Sequence, residues 1–401
     1  MSDLTKLLTT ALMVPMGNIS QDPKNCKMGL PVILWGPPGI GKSQRVEQAS
    51  YSLGLPVETI VPSTRAPEDV SGVLVPDGKG NAKLHSLLPG IERLIEDKHG
   101  VLFLDELSCA RKAVQDAFLM VVLERRVGDQ RLPPGVRILA AANDTKDMDG
   151  GWELTPPMAN RLCHINVEAP TWKDWIQWRK GESQEEDAPV PKNLMKQLQN
   201  SWDSTTRRIN NLMHGFLNST QGTSLLNQMP SEESPDRNKA WPSSRSWDAA
   251  LRAYTTCEIM KSDETIRFDL MAGCVGKGAC LEFFSWVSKS DLPDPETALR
   301  TSWEPDVTRL DRSVTIYGSM VNFFIDAKES GDKVTLELLP NLWGMLATAA
   351  NAGIGDIILP YAKDLTNAGL GIKYSEKVSE KAADLLVFLT KSGLTGYLNT
   401  K

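Results

Sequence analysis

A glycine-rich segment in the first part of the chain has the residue types that bind phosphate. Its residues are Gly36, Pro37, Pro38, Gly39, Ile40, Gly41, Lys42 and Ser43. Glycines let the backbone bend so that its N–H groups converge on phosphate oxygens, and Lys42 can reach the β- and γ-phosphates of a nucleotide. The Ser43 hydroxyl can bind Mg²⁺, and the helix that opens with Gln44 turns its positive end toward the phosphates. The segment, with Gln44, therefore predicts a phosphate-binding loop.

Two carboxylates follow an apolar run further along the chain. Val101–Leu104 is followed directly by Asp105 and Glu106. Four apolar residues in a row are typical of a strand buried in a parallel sheet. At the end of such a strand, one carboxylate can hold the Mg²⁺ shell while the next takes a proton from an attacking water. We expect Asp105 to bind the metal together with Ser43, and Glu106 to be the catalytic base.

Three further polar residues stand where later elements begin or end. Asn143 follows the apolar run 136–142, and its neutral amide can orient water or touch a phosphate without repelling it. Arg161 and Arg245 carry guanidinium groups, which suit the charge that develops on a transferring phosphoryl group. We expect all three to act with Glu106 in catalysis.

Strand patterns alternate with helix patterns around these residues. Short apolar runs typical of strands occur at 29–35, 57–61, 101–104, 136–142 and 163–167. Between them, Ala113–Glu124 places Val114, Phe118 and Val121 on one helical face. Because the polar residues follow the ends of strands, the pattern predicts an α/β fold. It would be a parallel doubly wound sheet with the ligand at its carboxyl edge.

The chain divides into regions of different character. Residues 1–28 begin with leucines at helical spacing, and we place this segment on the adenine side of the nucleotide. Residues 29–169 form the predicted α/β core, in which 72–88 reads as a β-hairpin around an Asp-Gly turn. Residues 170–255 hold an acidic linker, an insert and a helical lid, and residues 256–401 are helical.

Composition limits the classes of function. The 401 residues carry a net charge of −6 without a long basic run, so a nucleic-acid partner is not expected. The six cysteines form no C-x-x-C pair and there are four histidines, which argues against structural zinc and fits reduced thiols in the cytoplasm. We expect no signal peptide, no membrane association and no apolar run of about 18 residues.

The motifs together resemble those of AAA+ ATPases. The segments that carry this resemblance are Gly36–Ser43, Val101–Glu106, Ile138–Asn143, Leu154–Arg161 and Pro242–Trp247. Within that group the chain is similar to the MoxR family. The hairpin Gly72–Leu88, the segment Glu124–Asp129 and a long insert between Arg161 and Arg245 carry this second resemblance.

The resemblance implies a P-loop NTPase core with an all-α lid and a C-terminal helical region. It implies that Asn143 is sensor 1, Arg161 the arginine finger and Arg245 sensor 2. It leaves open whether Arg245 acts on its own nucleotide or on that of a neighbour. Met158–Leu162 replaces the commoner aspartate-arginine-phenylalanine ending. The neighbouring arginines 125 and 126 therefore stay open as alternatives for the finger.

By the same resemblance, the chain would form a homo-oligomeric ring, expected to be a hexamer. It would use ATP and Mg²⁺ in a chaperone-like remodelling or maturation of a protein partner, such as a von Willebrand factor A domain protein. The alternative is a nucleic-acid-directed motor of the McrB or MCM type, which would need basic pore loops. A third reading is a scaffold that binds ATP without turnover, although Glu106, Asn143 and Arg161 argue against it.

Overall fold

The computed structural model describes most of the chain. The described residues are 2–76, 81–143, 153–179, 193–219, 222–289, 292–301, 303–304, 306, 308–331 and 336–370. They fall into two compact units: residues 1–203 with 226–281, and residues 204–225 with 282–401. The four sequence regions stay predictions, and the acidic linker at 181–190 lies outside the described residues.

The first unit is built on a parallel sheet, as predicted. Among its described residues, the strands are β1 Val32–Trp35, β2 Val57–Ile60, β3 Val73–Pro76, β4 Ala82–His85, β5 His99–Leu104, β6 Arg126–Val127, β7 Gln130–Arg131, β8 Gly135–Ala142 and β9 Cys163–Asn166. Five of them form the sheet in the order β2-β5-β8-β1-β9, and each neighbouring pair is parallel. Val32 pairs with both Leu139 and Cys163, so β1 lies between β8 and β9. The fold is therefore the expected α/β core.

Helices separate most of the sheet strands, and a run of helices follows β9. In chain order they are α1 Ser2–Met13, α2 Lys42–Ser52, α3 Pro67–Ser71, α4 Ile91–Asp97, α5 Lys112–Glu124, α6 Pro156–Ala159, α7 Trp172–Arg179, α8 Leu194–Leu217, α9 Ser244–Met260, α10 Glu264–Val275 and α11 Lys277–Lys289. The central strands are buried on both faces, and the apolar face of α5 joins their core through Val114, Phe118 and Val121. This burial explains the continuous apolar runs of β5 and β8.

Two small antiparallel hairpins lie outside the five-stranded sheet, and hydrogen bonds connect them to each other. The β3–β4 pair confirms the hairpin predicted at 72–88, although its turn, residues 77–80, lies outside the described residues. The β6–β7 pair forms the second hairpin. Asp129 accepts a hydrogen bond from the Leu84 N–H at 2.8 Å and donates its own N–H to the Leu84 carbonyl at 3.1 Å. The two hairpins therefore form one connected element.

The second unit is helical. Its further helices are α12 Pro295–Thr301, α13 Leu310–Ser330, α14 Leu339–Ala349 and α15 Gly355–Asn367, with a π-helical segment Ala350–Ile354 between the last two. Tyr317, Phe324 and Trp343 are among the fully buried side chains of this core.

The expectation of no long apolar run was wrong for Leu339–Asn367. This stretch of 29 residues contains an 18-residue window with a mean hydropathy of 1.3, and half of that window is buried. By length and composition alone it could cross a membrane, and a core helix of a folded domain meets the same test. Gly353, at φ +89°, interrupts the helical backbone in the middle of the stretch.

Candidate active site

The phosphate-binding loop runs from the end of β1 to the start of α2. Gly39 and Gly41 have φ values of +79° and +85°, in the left-handed region that glycine adopts without strain. A Cβ atom at Gly36 would lie 2.5 Å from the Val167 carbonyl oxygen. Each of these three positions therefore requires glycine, and the loop curves as a phosphate cradle must.

Lys42 holds its ammonium group inside this curve. Its Nζ atom donates hydrogen bonds to the carbonyl oxygens of Gly36, at 2.7 Å, and Pro37, at 3.0 Å. It also donates to the side-chain oxygen of Asn143 at 2.8 Å. The residue is only 8% exposed, although it carries a full charge. Phosphate oxygens can replace these acceptors when a nucleotide binds, because they are stronger acceptors than neutral carbonyls.

The two predicted metal ligands lie side by side. The Ser43 hydroxyl donates to the Asp105 carboxylate at 2.9 Å. The parallel pairing explains this contact, since β5 ends at the same edge of the sheet at which β1 turns into the loop. A hydroxyl and a carboxylate are the hard oxygen donors that Mg²⁺ prefers, and a magnesium site commonly uses few protein ligands. The pair therefore fits a magnesium site.

Glu106 has a strained backbone. Its φ and ψ are +55° and +40°, a left-handed conformation that costs a non-glycine residue roughly 1–2 kcal/mol. Strain of this kind is characteristic of functional sites. Because the backbone turns at Glu106, the side chains of Asp105 and Glu106 do not follow the alternating directions of a strand. The Asp105 carboxylate accepts the Glu106 N–H at 3.0 Å. Glu106 is exposed, as a group that must meet a water molecule has to be.

Asn143 is fixed by a residue that the sequence analysis did not identify. The Ser108 hydroxyl contacts both the carbonyl oxygen and the N–H of Asn143 at 3.3 Å. Ser108 lies in the short 3₁₀ turn Leu107–Cys109, two residues after Glu106. It therefore links the turn that carries the acidic pair to the end of β8. The signal that the sequence offered was a serine two residues after the two carboxylates.

Arg161 and Arg245 lie together, apart from the phosphate loop. Both line a cavity of about 190 Å³, which none of residues 36–44 lines. Arg161 lies two residues before β9, and Arg245 is the second residue of α9. The cavity also contains Pro31, which precedes β1. The arginines therefore lie where the strands begin, whereas Lys42 lies beyond the end of β1.

This cavity is strongly basic. Its charged lining consists of Lys27, Arg125, Arg161, Arg245 and Asp248. Burial lowers the pKa of Arg161, and the nearby charge of Arg245 lowers it further. The one acid among these residues is already engaged, since Asp248 pairs with Arg252 at 2.8 Å. The excess of positive charge suits an anion that enters from outside.

The two alternative arginines are engaged in the fold. Arg125 is buried, donates to the carbonyl oxygens of Pro133 and Val136, and has its pKa lowered by burial to about 10. Arg126 pairs with Asp129 at 2.9 Å. Arg161 is itself half-buried and donates to the Pro157 carbonyl oxygen, so accessibility does not rank it above the exposed Arg126.

Comparison with known proteins agrees with this geometry. The family model described as AAA domain (dynein-related subfamily) matches residues 31–162. No curated protein sequence matches the chain significantly. A crystal structure of a presumed ATPase from Cytophaga hutchinsonii aligns with a TM-score of 0.42 and 14% sequence identity, covering 68% of this chain and 80% of that one.

The family match spans the elements on which the site is built. It includes the phosphate loop, the acidic pair, Asn143 and Arg161, and it begins and ends beside the sheet that positions them. An AAA domain implies a nucleotide as the ligand of the phosphate loop. Residues 31–162 therefore have the sequence and the fold of an AAA+ P-loop domain.

Proposed function

We propose that this chain is a MoxR-type AAA+ ATPase that works as a homo-oligomeric ring, a hexamer. It would hydrolyse Mg-ATP at the boundaries between subunits and use the energy to remodel or mature a protein partner. The proposal combines the AAA+ domain with the positions of its two arginines and with the surface of its hairpins.

The separation of Arg161 and Arg245 from Lys42 carries the proposal. The strand β1 has four residues, so its first and last Cα atoms are about 10 Å apart at about 3.3 Å per residue. The arginines line a cavity beside the start of that strand, and the phosphate loop begins after its end. Guanidinium groups beside the start of the strand would lie away from their own phosphates, and they could meet the phosphates of a second copy. Both arginines would therefore act on the nucleotide of a neighbouring subunit.

Each subunit would supply the remaining chemistry to its own nucleotide. Lys42 and the backbone of the loop would bind the phosphates, and Asn143 would orient the attacking water. Glu106 would accept the proton of that water as its oxygen approaches the γ-phosphorus. Ser43 and Asp105 would hold Mg²⁺, which neutralises phosphate charge when it is bound. Arg161 and Arg245 of the neighbour would stabilise the charge on the transferring phosphoryl group.

The surface of the β3–β4 hairpin favours a protein partner over a nucleic acid. Val73, Leu74 and Val75 are 38%, 70% and 43% exposed. Adjacent exposed apolar side chains are typical of protein-binding surfaces, whereas nucleic acids require clusters of Lys and Arg. We propose a partner of the von Willebrand factor A class, on the family resemblance. We also propose a cytoplasmic location, which the lack of a disulfide among the six cysteines, all of them described, supports.

The decisive test mixes two inactive variants. An Arg161→Ala subunit keeps its own Glu106, and a Glu106→Gln subunit keeps its Arg161. Each variant alone should bind ATP and hydrolyse it slowly. Loss of the arginine finger should lower the hydrolysis rate by roughly 10³-fold or more. Mixed rings should regain part of the wild-type rate, because some boundaries then hold one intact copy of each residue. The proposal fails if co-assembly is confirmed by sizing and the rate does not rise.

A further inference from the structure

Asn160, the residue directly before Arg161, joins the two segments that carry the paired arginines. Its Nδ2 atom donates to the Trp241 carbonyl oxygen at 3.1 Å, and its Oδ1 atom accepts from the Ser243 hydroxyl at 2.8 Å. Asn160 is only 8% exposed. Ser243 is the N-cap of α9, whose second residue is Arg245. One buried amide therefore connects the Arg161 turn to the start of the Arg245 helix.

The connection opposes a repulsion. Arg161 and Arg245 line one cavity, and the charge of Arg245 lowers the pKa of Arg161. Because like charges repel, their interaction favours any movement that parts the two guanidinium groups. The two arginines lie in segments that are far apart in the chain: Asn160 and Ser243, which bond these segments together, are 83 residues apart. Hydrogen bonds between these segments must therefore hold the two guanidinium groups together.

The contact requires an amide. The Trp241 carbonyl can only accept a hydrogen bond, so the partner that faces it must donate, and the amide nitrogen is the donor. The Ser243 hydroxyl accepts the Ser246 N–H at 3.1 Å as the helix cap and gives its own proton to Asn160. An aspartate would have the same size, but its carboxylate could not donate to Trp241. It would also place a negative charge beside two arginines whose positive charge is needed.

We propose that Asn160 is a positioning residue that fixes Arg161 and Arg245 at the spacing with which they engage the neighbour's nucleotide together. The inference rests on the proposed function, in which both arginines act across a subunit boundary. Asn160 touches no nucleotide itself. It acts through the two segments that it joins.

The test compares Asn160→Ala and Asn160→Asp with Ser244→Ala. Ser244 is the neighbouring exposed serine, and its side chain contacts Asn227 rather than Asn160. A misplacement of about 1 Å can cost on the order of 10²-fold in rate. Both Asn160 variants should therefore lose at least about tenfold in kcat. Their KM for ATP should stay within about twofold, because the phosphate loop is unchanged. Ser244→Ala should retain the wild-type kcat.

A mixing experiment separates positioning from general damage. Asn160→Ala subunits mixed with Glu106→Gln subunits should regain activity, because each Asn160→Ala site borrows a well-placed arginine pair from its neighbour. If the loss came from a damaged fold, the site of the Asn160→Ala subunit would be damaged as well and mixing would restore nothing. The isosteric Asn160→Asp variant decides the question if Asn160→Ala does not fold.

The possible outcomes distinguish this inference from the function on which it rests. If Arg161→Ala is rescued by mixing and the Asn160 variants keep the wild-type kcat, the positioning role fails alone. It also fails if the Asn160 variants raise KM as much as they lower kcat, or if mixing restores nothing to them. If mixing does not rescue Arg161→Ala, the proposed action across subunits fails first.

Discussion

The ammonium of Lys42 lies 2.8 Å from the side-chain oxygen of Asn143, although 101 positions separate the two residues in the chain. The contact exists because β1 and β8 are parallel neighbours and end at the same edge of the sheet. It brings the cation expected to bind phosphate within reach of the amide expected to sense it. Exchange of this acceptor for a phosphate oxygen would couple nucleotide binding to the end of β8.

Substitution of Asn143 should separate binding from turnover. In Asn143→Asp, a carboxylate would hold Lys42 more tightly and repel the γ-phosphate, so we expect ATP affinity to fall at least about tenfold. In Asn143→Ala, one acceptor of Lys42 is lost without added charge, so affinity should stay within a few-fold while kcat falls. Titration with a fluorescent ATP analogue and a phosphate-release assay measure the two effects. Equal affinity of the aspartate variant and the wild type would contradict the assignment.

Glu106→Gln should bind ATP with wild-type affinity and lose turnover by at least about 10²-fold. The amide has the shape of the carboxylate but cannot accept the proton of the attacking water. Glu96→Gln is a matched control, since Glu96 is an exposed acid on α4 and lies outside the candidate site. Single-turnover hydrolysis distinguishes slow chemistry from slow product release. A wild-type rate in Glu106→Gln would remove Glu106 from the role of base.

The Ser43–Asp105 pair predicts a specific dependence on magnesium. Asp105→Asn removes a charged oxygen ligand, and we expect the Mg²⁺ concentration for half-maximal ATPase activity to rise at least about tenfold. Ser43→Ala should shift it in the same direction, because the hydroxyl is the second donor of the pair. ATPase activity measured across a Mg²⁺ series at constant ATP tests both. An unchanged half-maximal concentration in Asp105→Asn would place the metal elsewhere.

The bond between Asp129 and Leu84 predicts that the two hairpins work together. Asp129→Ala removes the acceptor of the Leu84 N–H and leaves the phosphate loop untouched. We expect basal ATPase activity to stay within a few-fold of the wild type, while stimulation by a protein partner falls. Replacing residues 77–80 with a two-residue turn should give the same pattern. An ATPase loss as deep as that of Lys42→Ala would contradict a role in partner contact.

His164 predicts an acid sensitivity of the first unit. Burial lowers its pKa from 6.5 to about 4, against a smaller opposite effect of its hydrogen bond with the Ala159 carbonyl. Its other ring nitrogen accepts the Trp35 indole N–H at 2.9 Å, which also requires the neutral form. Between pH 6.5 and pH 4, His164 is protonated in the unfolded chain and neutral in the folded chain. The free energy of unfolding should therefore decrease as the pH falls from 6.5 toward 4, by roughly 3 kcal/mol at most.

His164→Phe isolates this effect. The variant keeps an aromatic ring at the position and cannot titrate, while every other titrating group is unchanged. Its urea midpoint should fall less between pH 7 and pH 4.5 than that of the wild type, whatever its midpoint at pH 7. Parallel pH profiles of the two proteins would show that His164 is not the group responsible.

Local patterns in the sequence predicted most elements of this protein and the residues of its candidate site. The helix predicted at Ala113–Glu124 is α5, Lys112–Glu124 in the structure, because the spacing of apolar residues reports directly which helical face is buried. The phosphate loop could also be predicted from its glycines, because the local backbone geometry selects this residue type. A left-handed backbone or a close approach of another chain segment leaves no other residue type free of strain.

Only the tertiary structure decided which polar groups meet. The Lys42–Asn143, Ser108–Asn143 and Asn160–Ser243 contacts join segments 101, 35 and 83 residues apart. No local pattern encodes such pairs, since each depends on the order of the strands and on where each strand ends. Two adjacent arginines also could not be told apart from the sequence. Arg125 is buried against backbone carbonyls, and Arg126 pairs with Asp129 at the surface. Their difference arises from packing, because a side chain's environment depends on elements that come from elsewhere in the chain.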